Sequence, residues 1–285
     1  MTTVSQPTSK TLNANGLRLH YLEWGNPGAL PIICVHGYTS SAQAFNALAR
    51  RLSDRAHILA LDVRGHGESA WSPEGAYQYA DQTADLAAVV DAFGLSQFIL
   101  IGTSMGGVIA MAYAAQSPER LRGLVINDIG PDVEAGTQRI TGLVGSRPED
   151  FATLDAAMEY RRQMSPITAA RPLDDQRELA LGVLRQAPDA RWVWKMDPVY
   201  IEERVTRVAQ GAAFRSALWP AFAALSCPTL VVWGTDSDIL SEGQARRMVE
   251  TAPRGELVAV PGVGHAPTLV EPEALAALER LVATM

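Results

Sequence analysis

The chain has 285 residues, 47% hydrophobic, 19% charged and 7% aromatic, with a formal net charge of −7 at pH 7. That composition belongs to a folded protein and excludes disordered, collagen-like and coiled-coil chains. The acidic balance, with no long Lys/Arg cluster, argues against nucleic acid as a partner. The two cysteines, Cys34 and Cys227, are too few for a disulfide framework or a cysteine-built zinc site.

Residues 1–16 are polar and contain no apolar segment of the secretory type. No window approaches the roughly 18 consecutive apolar residues that a membrane helix needs. A cytoplasmic protein without a membrane span is expected. Residues 17–24 alternate loosely and fit an antiparallel edge strand. Short apolar runs follow at 31–35, 57–61, 98–101, 124–126, 229–233 and 256–260, rich in Val, Ile and Leu. Separated by helix-length segments, they predict an α/β fold whose mostly parallel sheet is covered on both faces. Helical periodicity occupies 81–93, closed by Gly94, and 105–116, stopped before Pro118.

Residues 132–220 break this rhythm. No strand-like run is evident there, and 149–163 and 174–186 carry apolar residues at three- and four-residue spacing. Long excursions in compact domains are usually functional. The expected organisation is a core of residues 1–131 and 221–285 with an inserted helical cap, 132–220. Trp192, Trp194, Met196, Tyr200 and Trp219 are candidates for a pocket wall under that cap; the alternative is that they pack as its own core.

The chemistry centres on Gly102-Thr103-Ser104-Met105-Gly106, a G-x-S-x-G sequence between an apolar run and a small-residue helix. This strand–turn–helix setting projects a serine hydroxyl from a strained turn, and glycines stand where side chains would collide. Met105 N–H opens the helix, where unsatisfied donors favour negative charge. Tyr38 N–H, in the loop His36-Gly37-Tyr38 after an earlier strand, is the candidate second donor of an oxyanion hole.

A serine nucleophile needs a base. Of the five histidines, His265 follows the last apolar run in Gly264-His265-Ala266-Pro267, at a strand's carboxyl end where open α/β sheets assemble their sites. His20 and His57 read as surface or satisfied core residues, and His36 as a residue orienting its loop. The carboxylate partner of His265 has three candidates. Asp238 is placed first, ahead of Asp236 in the same loop after residues 229–233, and Asp128 after residues 124–126.

Taken together, His36-Gly37-Tyr38, the stretch 62–69, Gly102 to Gly106 and Gly264-His265 resemble the α/β-hydrolase superfamily, from the edge strand near Leu17 to the helix after Glu271. The resemblance implies an eight-stranded sheet, a helical cap over the site and Ser–His–Asp roles for Ser104, His265 and Asp238. It is similar to bacterial esterase-, lactonase- and carbon–carbon hydrolase-like members, whereas serine at 104 departs from the dehalogenase and epoxide-hydrolase branches, which carry aspartate there. One departure concerns the acid. The family's common acid loop has its aspartate three residues past the glycine, where this chain has Ser237, with Asp238 one later.

The expected function is hydrolysis of a carboxylic ester or lactone through an acyl-enzyme, without a metal or cofactor, on a small and partly apolar acyl substrate. The net negative charge mildly disfavours strongly anionic substrates but does not decide the substrate. Cleavage of a carbon–carbon bond beside a ketone would use the same residues, and a non-catalytic ligand receptor would use the same fold.

Overall fold

The computed structural model describes residues 6–132, 146–202 and 214–285. The main sheet contains β1 (Thr8–Ala14), β2 (Leu17–Trp24), β3 (Leu30–Val35), β4 (Ala56–Leu61), β5 (Phe98–Thr103), β6 (Leu121–Asn127), β10 (Thr229–Gly234) and β11 (Gly255–Val260). Their spatial order is β1-β2-β4-β3-β5-β6-β10-β11. β2 runs antiparallel to both its neighbours, and every other pairing is parallel.

The central strands are continuously apolar because both faces of the sheet are covered. Alternation along each strand splits their side chains between two cores. Ile33, Leu59, Leu100, Leu124 and Val231 face α2 (Tyr79–Ala92) and α3 (Met105–Gln116), against Leu86, Val89, Val108 and Ile109. Ile32, Ile58, Ile99, Val125 and Val232 face the other way, against Leu48 and Leu52 of α1 (Asn46–Leu52) and the C-terminal helix Pro272–Ala283. The strands' carboxyl ends therefore converge on one edge, where the loops carrying Tyr38, Ser104, Asp128 and His265 meet.

Two sequence expectations need correction. The edge strand is β1, not residues 17–24, which lie second in the sheet as β2. β1 is TSKTLNA with only Ala14 buried, so it pairs by backbone hydrogen bonds and offers no apolar signal. The segment between β6 and β10 is also not purely helical. It contains a three-stranded antiparallel sheet of β7 (Asp150–Phe151), β8 (Leu184–Gln186) and β9 (Trp192–Trp194). These strands are two or three residues long, too short for a period-two pattern to register.

That small sheet packs with α4 (Leu154–Met164) and α6 (Leu173–Val183), on either side of the short α5 (Pro166–Ala169). Phe151, Leu154, Ala157, Met158, Ala180, Val183 and Leu184 give this segment its own core. Polar contacts fasten it to the main body. Arg50 on α1 pairs with Asp175 at 3.2 Å and Glu178 at 2.5 Å, and Asn46 donates to Glu178 at 2.7 Å. Tyr77 hydrogen-bonds Asp197, and Trp71 Nε1 donates to the Lys195 carbonyl at 3.0 Å. Among the described residues, no helix is long and apolar enough to cross a membrane.

A very close backbone approach lies beneath the serine turn. A Cβ on Gly106 would be driven into the backbone carbonyls of Val35 and His36, and one on Gly102 into the Gly106 carbonyl. These atoms belong to the sheet and helix and have no room to retreat. Gly106→Ala should therefore lower unfolding stability by about 2–3 kcal/mol, as overpacking a tight core does. Urea titration followed by circular dichroism measures this; a wild-type midpoint would contradict the packing argument.

Candidate active site

Ser104 sits between β5 and α3 with φ 53° and ψ −118°. Left-handed backbone at a non-glycine residue costs of order 1–3 kcal/mol and persists only when its surroundings impose it. Here the imposing contacts are the Gly102 and Gly106 approaches and the hydrogen bond from Ser104 N–H to Asn127 O, 3.0 Å. Ser104 Oγ lies 2.8 Å from His265 Nε2, and His265 Nδ1 lies 2.8 Å from Asp128 Oδ2. With the serine hydroxyl donating to Nε2, the imidazole carries its proton on Nδ1 and donates it to Asp128. Asn127 ties the arrangement together, donating from Nδ2 to Thr103 Oγ1 at 3.1 Å and to the Pro267 carbonyl at 2.8 Å.

The carboxylate against His265 is thus Asp128, and the expected pairing with Asp238 is corrected. The loop after β10 turns at Gly234, whose carbonyl accepts from Ser237 N–H at 2.9 Å. That turn aims Ser237 inward, and its hydroxyl donates to Asp128 Oδ2 at 2.7 Å. Asp238, one residue on, is exposed at the cavity rim. Asp236 is also exposed, its N–H bound to the Val263 carbonyl at 3.0 Å. Asp128 is fully buried, with φ 56°, and its Oδ1 accepts from Gly234 N–H at 3.1 Å. Ser237 stands three residues past the glycine and supports from there a carboxylate supplied by β6.

The loop His36-Gly37-Tyr38 packs directly on the serine: a Cβ on Gly37 would lie 3.2 Å from Ser104 Cβ. Buried hydrogen bonds hold this loop. His36 Nδ1 donates to the Gly37 carbonyl at 2.8 Å while Nε2 accepts from Val63 N–H at 3.0 Å. Asp62, almost fully buried, accepts from His20 Nδ1 at 2.7 Å, Ala42 N–H at 2.7 Å and Glu68 N–H at 2.9 Å. These contacts tie β2, the loop after β3 and the turn after β4 together. Met105 is the first residue of α3, so its N–H has no acceptor one turn back.

A cavity of about 650 Å³ opens over Ser104 and His265. Its floor comes from residues 37–40, 103–104 and 264–269, and its roof from the inserted segment: Arg147, Tyr160, Arg161, Met164, Ile167, Arg171, Leu179 and Trp194. Of the five pocket candidates read from sequence, only Trp194 lines this cavity. Met196 and Tyr200 are buried in the main core, Trp192 packs on the small one, and Trp219 packs on the main core, donating to Asp132 at 2.9 Å beneath the Arg247 guanidinium. Aromatic bulk was the wrong signal. A better one lay in α4, where Ala157, Tyr160, Arg161 and Met164 share a helical face at i, i+3, i+4 and i+7, so that a charge falls inside an inward stripe.

Among the described residues no cluster of His, Cys, Asp and Glu has the makings of a metal site. Residues 31–272 match the family described as the α/β hydrolase fold. The chain is 31% identical to the 3-hydroxybutyrate-oligomer hydrolase of Cupriavidus necator, over 91% of this chain and 90% of that protein. It is 29% identical to the 2-(acetamidomethylene)succinate hydrolase of Mesorhizobium japonicum, over 93% and 91% of the two chains. The crystal structure of an α/β hydrolase from Novosphingobium aromaticivorans superposes with a TM-score of 0.85 at 32% identity, covering 99% of this chain and all of that one. The chain belongs to the α/β-hydrolase family. Both of the curated relatives named are hydrolases, and hydrolysis is the activity they support for it.

The loop that packs on Ser104, together with His66 of the turn after β4, whose Nε2 bonds the Tyr38 carbonyl at 2.8 Å, also sets a pH limit on the fold. Burial lowers the His36 pKa, with Asp62 acting in the opposite sense. Burial, followed by the His36 charge, lowers that of His66 to about 3. Both stay neutral in the folded state, whereas in the unfolded chain they take up protons below about pH 6.5. Their contribution is complete above that value and is lost as pH falls below it. Tm should therefore be level above pH 7 and decline from about pH 6.5 to pH 5. A Tm that stays level across that interval would contradict the assignment.

Proposed function

We propose that the protein hydrolyses carboxylic esters, or close acyl relatives such as lactones, through an acyl-enzyme on Ser104. The observation that carries this reading is the unbroken line Ser104 Oγ–His265 Nε2, 2.8 Å, and His265 Nδ1–Asp128 Oδ2, 2.8 Å, at the floor of a cavity. His265 takes the hydroxyl proton as Ser104 Oγ attacks the carbonyl carbon, and Asp128 stabilises the resulting imidazolium and holds its tautomer. The oxygen that gains charge is met by the N–H groups of Met105 and Tyr38, each such donor being worth about 3–4 kcal/mol to the transition state. His265 then returns the proton to the departing alcohol. A water deprotonated by His265 attacks the acyl carbon, and the acid leaves as Ser104 regains its proton. The inserted segment acts as a cap whose roof residues contact the acyl group.

The hydrolase relatives support the reaction class, and the geometry supports Asp128 as the acid. A p-nitrophenyl ester assay combined with fluorophosphonate labelling tests both. Ser104→Ala should abolish labelling and lower kcat by about 10⁵–10⁶. Asp128→Asn should lower it by about 10⁴, since the imidazole loses its fixed tautomer. Ser237→Ala and Asp238→Asn should cost about tenfold or less, because neither touches the imidazole. A chain that binds esters but never labels would favour a receptor, and collapse of Asp238→Asn with Asp128→Asn active would move the acid.

A further inference from the structure

The roof of the cavity carries charge that the reaction above does not use. Arg161 lies near the end of α4 and Arg171 just before α6, and both line the cavity that holds Ser104. No described carboxylate pairs with Arg161, and its Nε is buried without a hydrogen-bond partner. The described charge acting on it is that of Arg171, which repels it; burial first and this repulsion second lower its pKa to about 10. Burial likewise depresses Arg171 despite Asp175 and Glu271 nearby. Neither of those acids hydrogen-bonds Arg171, although Glu271 Oε2 is buried without a partner. Asp175 pairs with Arg50 at 3.2 Å, while Glu271 Oε1 accepts from Thr268 N–H and Oγ1, each at 2.8 Å.

A guanidinium without a partner in a partly desolvated wall is costly unless an anion completes it, and its planar fork matches a carboxylate. Met164, Ile167 and Leu179 line the same cavity and supply apolar surface. The rim aspartates, Asp236 and Asp238, belong to the β10 loop and not to the cap elements that bear the arginines.

We propose that this cavity takes an acyl substrate with an apolar middle and a carboxylate at its far end, the carboxylate held by Arg161 and Arg171 while the scissile carbonyl sits at Ser104. The inference rests on the hydrolase reading and names the substrate class of that same site. The net charge, which mildly disfavours strongly anionic substrates, does not decide the matter. Charge on the whole molecule sets a distant field, whereas the sign of a pocket is set by the groups in its wall.

The test compares p-nitrophenyl monoesters of adipic, pimelic and suberic acids with the p-nitrophenyl esters of hexanoic, heptanoic and octanoic acids. Wild-type protein should prefer the carboxylate-bearing ester by about tenfold or more in kcat/KM at its best length, less so as salt is added. Arg161→Met and Arg171→Met should each reduce that ratio about tenfold, chiefly through KM. Arg161→Lys keeps the charge without the fork and should recover part of the ratio, which separates recognition from a folding defect. Neutral esters preferred at every length, or a ratio the variants leave in place, would overturn the proposal. If neither ester class is cleaved, it is the hydrolase reading that fails, and calorimetry with adipate and suberate decides the subsite. Binding that Arg161→Met weakens about tenfold supports the carboxylate site, and no binding to wild type overturns it.

Discussion

A carboxylate with no exposure to water sits at the end of β6, and the geometry around Ser104 depends on it. Asp128 is held by Gly234 N–H, the Ser237 hydroxyl and His265 Nδ1. A buried charge is tolerated only when its lone pairs are met by donors, so this demand fixes three chain segments at once. The β6 terminus turns left-handed to bring the side chain in, and Asp128 N–H anchors to the Val232 carbonyl at 2.8 Å. The β10 loop folds inward at Ser237, and the loop after β11 delivers His265. Each segment would have other conformations open to it without that carboxylate.

The serine side is governed by sterics instead. Gly102 and Gly106 let the helix, the β3 loop and the elbow come within distances that no side chain permits. Ser104 is thereby held at φ 53°. One half of the site is thus set by exclusion of Cβ atoms and the other by satisfaction of a charge. They meet at the imidazole, whose two nitrogens have one partner from each half.

This division explains what could be read from the residues. Steric constraints leave signatures in sequence: glycines flanking Ser104 and the apolar strands before and after it could be located directly. The helical periodicity of 105–116 coincides with the bounds of α3. The acid could not be located, because Asp128, Asp236 and Asp238 all follow strands, and the choice turns on a difference of one residue in a turn. Ser237 was the clue. A serine where an acid is expected makes sense once it supports an acid arriving from β6. β1 escaped notice because its side chains face solvent, and β7 to β9 because they are so short. The roof arginines leave no signature of their own, because an arginine on a helix reads as solvated until the helix's neighbours are known.

The central claim is that His265 donates its Nδ1 proton to Asp128. Nuclear magnetic resonance of protein with ¹⁵N-labelled histidine reads that proton directly, as a far-downfield signal coupled to His265 Nδ1. The account predicts the signal in the wild type and in Asp238→Asn, and its loss or strong upfield movement in Asp128→Asn. A signal that survives Asp128→Asn and disappears in Asp238→Asn would contradict it.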